Sequence, residues 1–127
     1  MRELETQRIA FLSREVALTP EEAKLFWPVY NEYNRKRLEL MQSHRQQRKT
    51  AMENLESKSE RELLEIAELE IVQMERMAEL RRMYHAKFLN VLPPIKVIRL
   101  YEAERDFSRE IQKQHRERTM DGRGRDR

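Results

Sequence analysis

The sequence predicts an all-α domain built on a long antiparallel helical hairpin, with a short N-terminal and a C-terminal helix, four helices in all. Three observations predict it. Of 127 residues, 39% are charged and 39% hydrophobic, yet only two are glycine, and both fall in the last six positions. Leu, Ile and Met recur at three- and four-residue steps over long stretches, as one face of a helix requires. Two such stretches of similar length are separated by a short polar segment, which forces their helices to run antiparallel.

The first helix is expected over 3–17, with Leu4, Ile9, Leu12 and Val16 on one face. Leu18-Thr19-Pro20-Glu21-Glu22 restarts the chain. Thr19 suits the N-cap, Pro20 the first helical position, and two glutamates favour the positive helix end. The second helix should run from Pro20 to about Leu55 and kink near Pro28, where a hydrogen bond is lost. Its stripe is Ala23, Phe26, Trp27, Tyr30, Tyr33, Leu38 and Met41, after which residues 42–54 offer only Ala51 and Met52.

The turn is placed at Glu56–Ser59, and Ser59 followed by Glu62 has the capping-box spacing. The third helix extends to about Val91 through Leu63, Ile66, Ala67, Met74, Met77, Leu80, Tyr84 and Phe88. Leu92-Pro93-Pro94 ends it, and Pro94 can open the fourth helix, which carries Val97, Leu100, Tyr101, Phe107 and Ile111. At the open end of the hairpin Phe26, Trp27, Tyr30, Tyr84, Phe88 and Tyr101 are expected to form an aromatic core. The organisation is therefore a helical domain over 1–113 and a disordered basic tail over 114–127, whose Arg, Asp and Gly residues leave nothing apolar except Met120.

Charge narrows the function classes. The net charge is +3, from 26 basic and 23 acidic residues. Six of the basic and three of the acidic residues lie from Lys113 onward, so the body is balanced at 20 of each. A balanced body with interleaved signs describes solvated helix faces, and a nucleic-acid-binding domain needs a basic stripe instead. Cysteine is absent, which removes disulfides and thiol chemistry. No run of 18 apolar residues exists, so no membrane span is expected.

The arms of the hairpin do not match near its tip. The third helix offers Leu63, Leu64, Ile66, Ala67, Leu69, Ile71 and Val72, and the facing part of the second offers polar and basic residues, among them Arg45, Arg48 and Lys49. Apolar residues spread over more than half a helix circumference are too wide for one polar neighbour to cover. Patches of that kind mark interaction surfaces. Long Arg and Lys stems could also cover part of it, but a second protomer or a bound protein is the reading preferred here. The candidate partner-binding residues are thus Leu63, Leu64, Ile66, Leu69, Ile71, Val72, Arg45, Arg48 and Lys49.

Leu18-Thr19-Pro20-Glu21-Glu22 resembles the Leu-Thr-x-x-Gln motif of the Spy/CpxP family of periplasmic stress proteins, with Glu22 in place of Gln. Relatives carry a second copy after the hairpin. Here Leu92-Pro93-Pro94-Ile95-Lys96 stands in that place, 74 residues on, and keeps the Leu and one Pro. The order of elements is also similar over about residues 4–112, closest to a Bacteroidetes-type branch. The motif residues are Leu18, Thr19, Pro20, Glu22, Leu92, Pro93 and Pro94. The resemblance implies a periplasmic location, with the export signal removed from the sequence in hand, and an antiparallel homodimer. It also implies ATP-independent chaperoning of partly unfolded proteins or, alternatively, a sensor or regulatory partner in envelope-stress or metal-stress signalling.

No catalytic set can be named. The histidines His44, His85 and His115 lie on different helices, there is no HExxH or phosphate loop, and the carboxylates alternate with Lys and Arg. No enzyme activity and no cofactor are expected. Some relatives bind zinc, nickel or cobalt, but neither His44 nor His85 has a carboxylate or histidine at i±4, so no metal site is assigned. The helical methionines serve as core filler or as adaptable contacts for varied partners.

Overall fold

A computed structural model describes residues 2–125, which fold into four α-helices and one short 3-10 turn without strands among the described residues. The helices are α1 (Arg2–Val16), α2 (Pro20–Met52), α3 (Glu60–Val91) and α4 (Pro94–Arg125), with the 3-10 turn over Leu55–Ser57. The all-helical, four-helix expectation is met. Two compact units make up the chain: residues 24–91 form one, and 1–23 with 92–127 form the other.

In the unit of residues 24–91, α2 and α3 form the antiparallel hairpin. Their partnership is written in ring contacts: Phe26 lies 5.8 Å from Phe88, and Tyr33 lies 5.3 Å from Tyr84 and 5.8 Å from Phe88. Phe26, Tyr30, Tyr33, Tyr84 and Phe88 are all buried. Each buried aromatic of this size stabilises by roughly 1.5–3 kcal/mol through area alone, and tilted pairs add to it. Tyr33 thus belongs to the aromatic core, and Tyr101, expected there, lies in the other unit.

α2 continues unbroken through Pro28 and ends at Met52, earlier than the expected Leu55. Asn54 takes the left-handed conformation at φ 53°, which stops the helix and lengthens the turn. Asn tolerates that region better than most residues. Ser59 then caps α3 reciprocally with Glu62: Glu62 N donates to Ser59 Oγ at 3.2 Å, and Ser59 N donates to Glu62 Oε1 at 3.2 Å. That is the expected capping box.

In the other unit, α1 packs along α4. Leu12 and Val16 of α1 and Val97, Leu100, Ala103 and Phe107 of α4 are buried at helical spacing. Phe11 meets Phe107 at 5.5 Å, and the Arg8 guanidinium sits over the Phe107 ring at 5.2 Å. α4 does not stop near Gln114, as the expected disordered tail requires, but runs to Arg125. Nothing between Pro94 and Gly122 breaks a helix, and the Gln, Lys, Arg and Glu of 112–118 all favour one. Positions 126 and 127 of that expected tail lie outside the described residues.

Candidate functional site

Two regions gather the residues singled out in the sequence. The first is the motif junction. Thr19 caps α2, with Glu22 N donating to Thr19 Oγ1 at 3.1 Å and Thr19 N donating to Glu22 Oε1 at 2.9 Å. Thr19 and Glu22 therefore close a second capping box, legible as Thr-x-x-Glu in the sequence and missed there. Just before it Ala17 turns α1 off in the left-handed region at φ 57°. A side chain with a Cβ holds that conformation at a cost of roughly 1–2 kcal/mol, so neighbouring contacts must hold it in place.

Lys96 supplies such a contact. Its Nζ donates to the Ala17 carbonyl at 2.8 Å and to Glu22 Oε1 at 2.5 Å. Glu22 and Lys96 are the last residues of the segments Leu18–Glu22 and Leu92–Lys96, so one ion pair joins the two segments. The bond from Lys96, then that from the Thr19 backbone, holds the Glu22 carboxyl below the usual carboxylate range. Leu92 is buried and Leu18 half-buried, while Pro20, Pro93 and Pro94 remain at the surface. The junction fastens these chain segments to one another.

The second region is the distal half of the hairpin. Here the six apolar candidates divide. Ile66, Leu69 and Val72 are half-buried, and Ile66 and Leu69 share the helical face of Gln73, Tyr84 and Phe88. Leu63, Leu64 and Ile71 are exposed, Leu64 at 66% and Ile71 at 50%. Leu64 and Ile71 continue with Ala67, Met74 and Ala78, also exposed, into a seam that steps by three and four residues. A helix seam of that period suits another helix or an apolar segment laid along it. Glu68, Glu70 and Glu75 flank the seam. Where the sequence suggests one broad patch, the helix presents one half-buried face and a neighbouring exposed seam.

Arg45, Arg48 and Lys49 are exposed on α2. With Leu38, Met41 and Met52, also exposed, Arg45 and Arg48 complete a stripe at positions 38, 41, 45, 48 and 52. Arg48 reaches across the hairpin, its Nη1 donating to Gln73 Oε1 at 3.4 Å. Gln73 Nε2 in turn donates to the His44 carbonyl at 3.1 Å and to Gln47 Oε1 at 3.3 Å. His44 and Gln73 are the buried polar residues of the hairpin, and Gln73 was not singled out in the sequence. Its signal was a polar residue at the inward register between Ile66 and Leu80.

Between the helices at this level runs an open groove of about 410 Å³. Met41, Met74 and Met77 line it together with His44 and Gln73, and Arg45, Arg48 and Glu70 complete its walls. Burial, and after it the charges of Arg76 and Arg48, keep the His44 imidazole below its usual pKa and therefore neutral near pH 7. His85 and His115 lie elsewhere, on α3 and α4. Among the described residues no group of three or more histidines and carboxylates is placed to hold a metal ion. Likewise, no described helix is long and apolar enough to cross a membrane. Comparison of the chain with protein-family models, curated proteins and solved structures gives no match.

Proposed function

We propose that the chain is a protein-binding helical module of the Spy/CpxP kind, which holds partly unfolded proteins without ATP, acts in the periplasm, and works by binding and not by catalysis. One observation carries the reading: the exposed apolar seam Leu64, Ala67, Ile71, Met74 and Ala78 on α3, on a hairpin whose facing helix exposes Leu38, Met41 and Met52 among basic residues. Such surface is costly to leave in water unless it is used. Magnitude favours a transient holder. Covering the exposed parts of Leu64, Ile71 and Met74 is worth on the order of 3–5 kcal/mol. The cost of association offsets much of that gain, so the apolar contact is weak before charge attraction from Arg45, Arg48 and Lys49 is added. Binding of that strength releases a client without an energy source. A homodimer that left both seams exposed would present two of them to one client.

The test is aggregation of a denatured model protein at stoichiometric amounts of the chain, without ATP. Suppression is expected, and Leu64→Glu combined with Ile71→Glu should remove it while leaving the helical content intact, because both side chains are exposed. Failure of the unsubstituted chain to suppress aggregation overturns the chaperone reading. A single stoichiometric partner recovered instead would mark a sensor or regulatory subunit.

A further inference from the structure

The hairpin contains a buried group that its fold leaves unused. His44 is only 4% exposed, and its Nε2 has no hydrogen-bond partner. A buried polar nitrogen without a partner is uncommon and calls for an explanation. The imidazole lines the groove into which Met74 and Met77 of α3 project. We propose that this groove binds a soft monovalent metal ion, Cu(I) or Ag(I), through His44 Nε2 and the thioether sulfurs of Met74 and Met77.

Register brings these donors together. Gln73, the residue before Met74, donates to the His44 backbone carbonyl at 3.1 Å, so Met74 and His44 stand at adjacent levels of the two helices. Met77 is three residues further along α3 and therefore on the same face as Met74. Met41 also lines the groove, but its Sδ accepts from Arg37 Nη1 at 3.4 Å, which takes it out of the donor set. Two thioethers and one imidazole form a soft, neutral set. It matches Cu(I) or Ag(I) and discriminates against zinc and nickel, which prefer histidine, thiolate and carboxylate. Methionine's unbranched side chain lets the sulfurs close on an ion without moving the backbone.

The surrounding charges are consistent with a monovalent ion. Arg45 and Arg48 stand at the groove and Arg76 lies near His44, opposed by Glu70. Arg48 is already engaged by Gln73 Oε1. Repulsion scales with the charge of the ion, so a divalent ion meets twice the penalty of a monovalent one at the same place. Burial, and after it the charges of Arg76 and Arg48, hold the imidazole neutral near pH 7 and its lone pair available.

Ag(I) in chloride-free buffer, and Cu(I) held reduced and competed against a chromophoric chelator, test the site on the full chain. One ion per chain is expected, with the Met74 and Met77 methyl and His44 ring NMR signals moving together. Met74→Leu with Met77→Leu keeps side-chain volume, so the pair should fold, as circular dichroism would confirm, yet bind at least about tenfold more weakly, as loss of ligands demands. Met83→Leu, outside the groove, should bind like the parent. Absence of binding, unchanged affinity in the Met74/Met77 pair, or tighter binding of Zn(II) than of Ag(I) each overturns the proposal.

Discussion

The same two helices build two different structures along the hairpin. Toward its open end, α2 and α3 are joined by Phe26, Tyr30, Tyr33, Tyr84 and Phe88, all buried and in ring contact. Toward the turn, the buried residues are His44 and Gln73, Leu64 and Ile71 face outward, and Met74 stands at the open edge of the groove. The aromatic half is self-sufficient, because large rings fill the gap between the helices and remove apolar surface from water. The distal half is held by side-chain hydrogen bonds among Arg48, Gln73, Gln47 and the His44 carbonyl. Hydrogen bonds of that kind contribute on the order of 1 kcal/mol each, less than ring burial. A hairpin divided in this way has one half that specifies the fold and another that leaves apolar side chains exposed.

The largest expected effect tests that division directly. Phe88→Ala should destabilise the chain by about 3–5 kcal/mol in denaturant unfolding, since the ring is fully buried and the cavity lies among other rings. Ile71→Ala, at the same helix but half exposed, should stay within about 0.5 kcal/mol. Comparable losses at the two positions would mean that the distal half is packed as tightly as the aromatic half. Gln73→Ala comes next, at about 1–2 kcal/mol, because it removes the polar bridge across the distal half. Amide hydrogen exchange should then quicken around 44–48 and 70–76 while the amides near Tyr33 and Tyr84 stay protected. Uniform loss of protection along both helices would show that the halves do not open separately.

Which parts of this were legible in the sequence follows from the range of the forces involved. Thr19-Pro20, Ser59 with Glu62, and Pro94 act within one helical turn, so α2, α3 and α4 begin where these residues stand. The aromatic stripes read correctly for a similar reason: periodicity reports which side of a helix is buried. The end of α4 was missed because polar helix formers carry no apolar period, and a solvated helix then looks like a tail. Glu22 and Lys96 were each read as parts of a motif, but their pairing spans 74 residues and local spacing cannot express it. The apolar run of α3 is visible in the sequence, but its division into a half-buried and an exposed face is not. Half-burial of Ile66, Leu69 and Val72 depends on how α3 is rotated against α2, and Gln73, the polar residue at that contact, fixes the rotation.

The smallest effect concerns acidity, and it separates the hairpin from the motif junction. His44 has a folded pKa below its usual 6.5, from burial first and Arg76 and Arg48 after it. As pH falls through 6.5 the unfolded chain takes up the proton before the folded one does, so folding loses stability from there down toward the folded pKa. Above that range both states are neutral and His44 contributes no slope. Glu22 behaves with the opposite sign: its folded pKa lies below 4.5, chiefly through the bond from Lys96, so its contribution is present above 4.5 and is lost as pH falls through the folded value. Denaturant midpoints measured from pH 7.5 to 3.5 should therefore fall in two stages. His44→Leu should flatten the upper stage and spare the lower, whereas Glu22→Gln should reduce the lower and spare the upper. An upper stage that persists unchanged in His44→Leu would show that the buried imidazole does not link the hairpin to pH.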